Sequence, residues 1–293
     1  METKISREET AMVEGEAREA SPSPSLARLL RVVYRVKNLD QSVRFYTECF
    51  DMKIKGTFEC PLKQYAAALM GYGSSSTHFI LELRFYFEIC EFNVGSGFGH
   101  IGINVGNVQK SLESIKSKGG KVTKEARQVK GASTICAFVE DPNGYEIELL
   151  QRVSYGGDPL CQVMLRVVDL QSAITFYEKS FGMKMLRKFQ LEVSKTKFEL
   201  AFMGFGPEDR TTVLELNSIY NVAHYDKGNA YLELVIGVDD IESTYECIEH
   251  AGGLATKVAE DNHAKALRVF DLDRWKMIVV DEKSKEIVGI VGI

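Results

Sequence analysis

Val32 to Ile54 reads VVYRVKNLDQSVRFYTECFDMKI, and Val163 to Met185 reads VMLRVVDLQSAITFYEKSFGMKM. Laid over one another without a gap, the two stretches put Arg35 on Arg166, Phe45-Tyr46 on Phe176-Tyr177 and Met52 on Met183, each 131 positions apart. The match continues, with ALMGYG at Ala68 returning as AFMGFG at Ala201 and LELRF at Leu81 as LELNS at Leu214. Self-similarity over such a span marks a duplicated domain, which decides the fold before any single element is assigned. The turn-rich S-Y-G-G-D-P at Ser154 to Pro159 divides the copies, giving domains over 29–153 and 160–285. Residues 1–28 are expected to form a disordered acidic arm, punctuated by S-P-S-P-S.

Each copy divides again. Alternating apolar residues over Val32 to Val36 predict a strand, and N-L-D then introduces a helix from Asp40 to Phe50 with Val43, Tyr46, Thr47 and Phe50 on one face. Strands follow near Met52, over Tyr65 to Met70 and over His78 to Arg84. The same order recurs from His100, with a helix over Val108 to Lys118 closed by Gly119-Gly120, and strands Thr134 to Glu140 and Tyr145 to Gln151 around a D-P-N-G turn. The chain reads as four βαβββ modules, an α+β fold in which paired modules curl around two pseudo-equivalent clefts.

Composition excludes several classes of function. Of 293 residues, 45% are hydrophobic and 26% charged, the balance of a globular protein. A net charge of -5 provides no basic field for nucleic acid or an anionic membrane surface, so neither partner is expected. Apolar runs such as Ile287 to Ile293 fall far short of the ~20 residues that span a bilayer. The six cysteines form no C-x-x-C pair and read as free thiols in a reducing compartment. Six glutamates between Glu2 and Glu19 argue against a transit peptide, and a cytoplasmic protein is expected.

Three glutamates sit in the middle of apolar strands, where an unpaired charge is costly: Glu82 in FILEL, Glu148 in YEIELL and Glu215 in VLEL. A structural, partnered carboxylate explains any one of them, and three in matching positions weaken that explanation. His100 follows G-S-G-F-G and opens a strand, where an imidazole can meet a metal or pack as a core residue. G-S-G-F-G precedes a strand rather than opening a helix, so it is neither a P-loop nor a dinucleotide fingerprint.

VVYRV, FYTECF, GSGFGHIGI, FVEDPNGYEIELL, PLCQVMLRV, FYEKSFGM, VLEL and YDKGNAY, in this repeat, resemble the two-domain plant glyoxalase I proteins of the vicinal oxygen chelate superfamily. The resemblance covers Leu29 to about Asp281. It implies metal sites built from one module of each domain. One set would be Arg31, Glu82, Tyr231 and Ile278, which lacks metal-binding chemistry and is expected to be dead, with Arg31 filling the pocket. The other would be His100, Glu148, Gln162 and Glu215, holding one divalent ion (zinc, nickel, cobalt, manganese or magnesium) with room for a chelating substrate. By the same resemblance Glu148 shuttles a proton through an enediolate, with Glu215 as its catalytic partner.

In the family an arginine and an asparagine grip the γ-glutamyl end of a glutathione hemithioacetal. Arg166 keeps the arginine, whereas Ile219 stands at the asparagine position and leaves Asn217 and Asn221 out of register. The loss of hydrogen bonds there favours a specialised, glutathione-independent relative that isomerises and aromatises a plant terpenoid hydroxy-ketone, as in the gossypol pathway. Lactoylglutathione lyase acting on methylglyoxal is the alternative, and a non-catalytic metal or small-molecule binding module the second alternative. A small-molecule substrate and a monomer are expected.

Overall fold

The computed structural model describes residues 27–88, 91–129, 133–153, 155–193, 195–260 and 265–281, so the expected arm lies almost wholly outside the described residues. The first module comprises β1 (Arg28–Arg35), α1 (Leu39–Phe50), β2 (Lys53–Cys60), β3 (Tyr65–Gly71) and β4 (Ile80–Tyr86). The second comprises β5 (Phe98–Asn104), α2 (Val108–Ser117), β6 (Lys121–Gln128), β7 (Ile135–Glu140) and β8 (Glu146–Gln151). The third runs through β9 (Leu160–Arg166), α3 (Leu170–Phe181), β10 (Lys184–Val193), β11 (Thr196–Gly204) and β12 (Val213–Ile219). The fourth runs through β13 (Tyr231–Val238), α4 (Ile241–His250), β14 (Leu254–Glu260), β15 (Lys265–Phe270) and β16 (Lys276–Asp281).

The repeat is visible in the caps. Asn38, Asn107, Asp169 and Asp240 stand before the four helices, and each side chain accepts the backbone N–H three residues on, at Gln41, Lys110, Ser172 and Ser243. The first helix accordingly starts at Leu39, one residue before the position expected from periodicity alone.

Neither copy owns a sheet. One eight-stranded sheet has the order β14-β15-β16-β13-β1-β4-β3-β2, the other β10-β11-β12-β9-β5-β8-β7-β6. Each therefore joins one module from each copy, through the antiparallel pairs β1/β13 and β5/β9. Helices pack on the outer faces over a shared core that includes Tyr46, Leu81, Ile101, Phe176 and Trp275. Modules of one copy are tied by the tyrosines of the duplicated F-Y motif. Tyr46 donates its hydroxyl to Asp141 Oδ2 (3.2 Å), and Tyr177 donates to Asp271 Oδ2 (2.8 Å), so each helix anchors the turn before the last strand of the next module. Among the described residues no helix is long and apolar enough to cross a membrane.

Candidate active site

Four neighbouring strands, in the order β12-β9-β5-β8, place one polar side chain each at the centre of the second sheet: Glu215, Gln162, His100 and Glu148. Strand alternation sets which residues share the concave face. The β12/β9 register is continuous, so Gln162, Met164 and Arg166 lie beside Val213, Glu215 and Asn217 on that face. Gly102 is opposite Gln162, and a Cβ on it would come within 2.7 Å of the Gln162 Cβ, so the glycine leaves room for the amide to cross the strand.

The four groups converge. His100 Nε2 is 3.2 Å from Glu148 Oε2 and 3.6 Å from Glu215 Oε2, and one donor atom from each of the three residues lies within 4.8 Å of the others. Gln162 Nε2 is 3.1 Å from both His100 Nε2 and Glu148 Oε2, and also donates a short hydrogen bond to Glu215. All but Glu148 are buried, and the Glu148 side chain remains 14% exposed, which opens the cluster to the cleft. Phe138 stands edge-on to the His100 ring at 5.5 Å.

Burial disfavours charge on His100, yet hydrogen bonds and attraction from Glu148 and Glu215 raise its pKa to about 10. Burial alone would raise Glu148, but its hydrogen bond to His100 holds the carboxyl below its ordinary value. Burial, reinforced by the charge of Glu148, leaves Glu215 above its ordinary value. Two carboxylates this close favour a positive charge between them. Among the described residues, no lysine or arginine forms an ion pair with either acid. One imidazole, two carboxylates and an amide that presents oxygen after a half-turn of its last bond suit a hard or borderline divalent ion.

The pseudo-equivalent cleft is a control within the same chain. Arg31 stands where Gln162 does, and Glu82 where Glu215 does. The expected third member, Tyr231, is a correction. Arg31 is opposite Val235 just as Gln162 is opposite Gly102, so the counterpart of His100 is Glu233, two residues beyond Tyr231. Tyr231 occupies the place of Phe98 instead, stacking on that ring at 5.3 Å and meeting Trp275 edge-on at 5.1 Å. The β1/β13 register shifts between Val33 and Tyr34, so Tyr231 turns into the core with Tyr34 while Glu233 faces the cleft with Arg31, a bulge that the apolar pattern does not expose. Glu82 and Glu233 are neutralised by protein cations: Arg31 Nη1 to Glu82 (3.2 Å), Arg84 to Glu82 (2.5 Å) and Glu233 (3.2 Å), and Lys276 to Glu233 (2.6 Å). This donor set does not suit a metal. Glu233, Arg84 and Lys276 were not singled out in the sequence, although each follows from strand alternation once the register is known.

Of the expected substrate-binding residues, Arg166 lies on the concave face, and its Nη1 donates to the carbonyls of Ser96 (2.6 Å) and Phe98 (3.3 Å). Ile219 ends β12, opposite Phe198, on the face of Glu215 and Asn217. Its backbone N–H donates to the Tyr225 hydroxyl (3.1 Å).

The sequence pattern of the Glyoxalase/Bleomycin resistance protein/Dioxygenase superfamily matches residues 28–149 and 160–278. "Probable lactoylglutathione lyase, chloroplastic" of Arabidopsis thaliana is 46% identical over 257 residues, covering 87% of this chain and 73% of that protein. A lactoylglutathione lyase of Oryza sativa subsp. japonica is 41% identical over 276 residues, covering 89% and 91%. The crystal structure of glyoxalase I from Zea mays superposes with a TM-score of 0.82 at 43% identity, covering 88% of this chain and 93% of that one. The cytoplasmic expectation is corrected here. The Arabidopsis relative is named as chloroplastic, and the acidic residues from which a cytoplasmic location was read lie outside the described residues. Pattern, relatives and superposition agree with the two-copy architecture: the chain belongs to the Glyoxalase/Bleomycin resistance protein/Dioxygenase superfamily, among the two-domain proteins of the plant glyoxalase I type.

Proposed function

We propose that this protein is a lactoylglutathione lyase, converting the hemithioacetal of methylglyoxal and glutathione into the lactoyl thioester at the cleft of β12, β9, β5 and β8. The observation that carries this reading is the convergence of buried His100, Gln162 and Glu215 on the partly exposed Glu148, with no lysine or arginine among the described residues pairing the acids. It is supported by relatives named for that activity at 41% to 46% identity. The terpenoid reading has no such support among these relatives.

His100, Gln162, Glu148 and Glu215 would hold one divalent ion. When bound, that ion stabilises negative charge developing on two adjacent substrate oxygens. Glu148, the most open of the four, removes the proton from the carbon carrying sulfur and hydroxyl and returns it to the neighbouring carbon. The hydroxyl-bearing carbon becomes the thioester carbonyl and the former carbonyl an alcohol, with no change in composition. Its opening to the cleft leaves Glu148 the carboxylate able to reach the substrate proton. Glu215 and His100 fix the cluster from the buried side, and Phe138 and Phe202 line the sheet beside it. Both sheets close within one chain, which supports a monomer.

The test is turnover of the hemithioacetal by the metal-loaded protein beside Glu148→Gln, with metal content measured in both. A rate loss of about a hundredfold or more with the ion retained supports the reading. A metal-loaded wild-type protein that leaves the hemithioacetal unchanged overturns it. Ile219 on the cleft face favours one second reading: the same proton transfer on a hydroxy-carbonyl compound that carries no glutathione.

A further inference from the structure

We infer that Glu208 is a positioning residue for the metal-suited cluster: its carboxylate captures the guanidinium groups of Arg152 and Arg187 and keeps both off Glu148 and Glu215. This rests on the metal-holding role given to that cluster above and goes further, since it names what leaves its two acids open to an ion.

Glu208 lies in the loop between β11 and β12, in the C-terminal copy. Arg187 on β10 grips it with two donors, Nε to Oε2 (2.6 Å) and Nη2 to Oε1 (2.8 Å). Arg152, just past β8 in the N-terminal copy, adds Nη2 to Oε1 (3.3 Å). A two-pronged arginine–carboxylate pair is among the stronger ion-pair geometries. The face of Phe202 holds the Arg187 guanidinium at 3.7 Å, and the Tyr155 ring lies 5.1 Å from that of Arg152. Both arginines sit beside the cluster. Phe202 is the register partner of Glu215, and Arg152 follows Glu148 by four residues at the end of β8. The positive charge of Arg152 accordingly reaches Glu148, and that of Arg187 reaches Glu215.

The first cleft lacks this device. Gly56 is paired with Leu69 as Arg187 is paired with Phe202, so a glycine stands at the arginine position. ALMGYGSSS laid on AFMGFGPED puts Ser75 at the position of Glu208. There the arginines Arg31 and Arg84 lie directly against the strand glutamate, Glu82. In the second cleft two guanidinium charges face the one Glu208 carboxylate, which leaves a single positive charge in excess. Without that carboxylate the excess is two. A released guanidinium either pairs with Glu148 or Glu215, which removes a ligand, or stays in place and repels a divalent ion, and both weaken the ion's hold.

The experiment is a competition titration of zinc ion against a chromogenic chelator, on the wild-type protein, Glu208→Gln, Arg187→Met and the double variant, with circular dichroism recorded for each. Glu208→Gln is expected to bind zinc at least about fivefold more weakly, the order set by one charge beside a dication when water screens part of it. The double variant restores the wild-type excess of one charge while lacking the Glu208 bridge, and is expected to recover most of the loss. Arg187→Met alone is expected to bind zinc at least as tightly as the wild type. A bridge that only ties the loop to the sheet would leave the double variant as weak as Glu208→Gln. Wild-type affinity in a folded Glu208→Gln, or no recovery in the double variant, overturns the inference and leaves the metal assignment standing. If Glu208→Gln fails to fold, Arg187→Met decides: weaker zinc binding overturns the inference, and equal or tighter binding supports it. Absence of zinc binding by the wild type overturns both.

Discussion

Arg31 Nη1 lies 3.2 Å from Glu82 Oε2 at the point where, in the other cleft, Gln162 Nε2 meets Glu215. One duplicated sheet thus carries two solutions for a strand glutamate. In the first cleft two acids face three protein cations. Removing an acid there leaves buried positive charge uncompensated, whereas removing Arg31 leaves Glu82 with Arg84. Glu82→Leu should therefore destabilise the protein by about 3–5 kcal/mol, and Arg31→Met by clearly less. Urea denaturation measures both, and equal losses would show that the charge count does not govern this cluster.

The same asymmetry fixes metal stoichiometry. Among the described residues no lysine or arginine pairs the acids of the second cleft, and those of the first are already neutralised, so the protein should bind one divalent ion per chain rather than two. Glu215→Gln should weaken that ion by at least about a hundredfold, since even outer partners of metal ligands are worth up to that much. Glu233→Gln should leave it untouched. Metal analysis after exhaustive dialysis reads all three, and two ions per wild-type chain would refute the assignment.

Much of this was legible in the sequence. The Val32 and Val163 stretches give the duplication, because the F-Y pairs and apolar spacing repeat in step, and Asn38, Asn107, Asp169 and Asp240 mark the helix starts. Two things were not legible. The expectation of Tyr231 in the first cleft fails because a bulge in the β1/β13 pair turns Tyr231 into the core; only the pairing of Arg31 with Val235 puts Glu233 there. Arg84 and Lys276 escape notice because only the strand pairing brings them beside Glu82 and Glu233.

The turn Asp271-Leu-Asp-Arg-Trp departs from its repeat counterpart Asp141-Pro-Asn-Gly-Tyr, with a backbone consequence. Arg274 has φ 66° where the equivalent turn of the second module has Gly144 at φ 99°. A residue with a Cβ is strained in that region, by about 1–2 kcal/mol, and Arg274 is exposed and gains no burial in return. Arg274→Gly should raise stability by about 1 kcal/mol, measured as a shift of the urea midpoint at constant slope. An unchanged or lower midpoint would mean that the arginine side chain compensates the turn.

That turn also sets a pH dependence. Asp141 accepts hydrogen bonds from the side chain and backbone of Asn143, whereas the counterpart of Asn143 beside Asp271 is Asp273, a like charge. Burial, opposed by the bonds from Trp275 N–H and Tyr177 hydroxyl and helped by Asp273, raises Asp271 to about 7. The folded state therefore holds this proton more tightly than the unfolded chain, where an aspartate titrates near ~3.9. The contribution is fully present below about pH 4 and is lost as pH rises through about 7, at up to about 1.4 kcal/mol per pH unit. Asp271→Asn keeps an acceptor for Trp275 and removes the titration. Its stability relative to wild type should accordingly improve from pH 5 to pH 8 by about 2 kcal/mol. Denaturation curves at four pH values provide the comparison, and parallel profiles for the two proteins would show that Asp271 is ionised throughout.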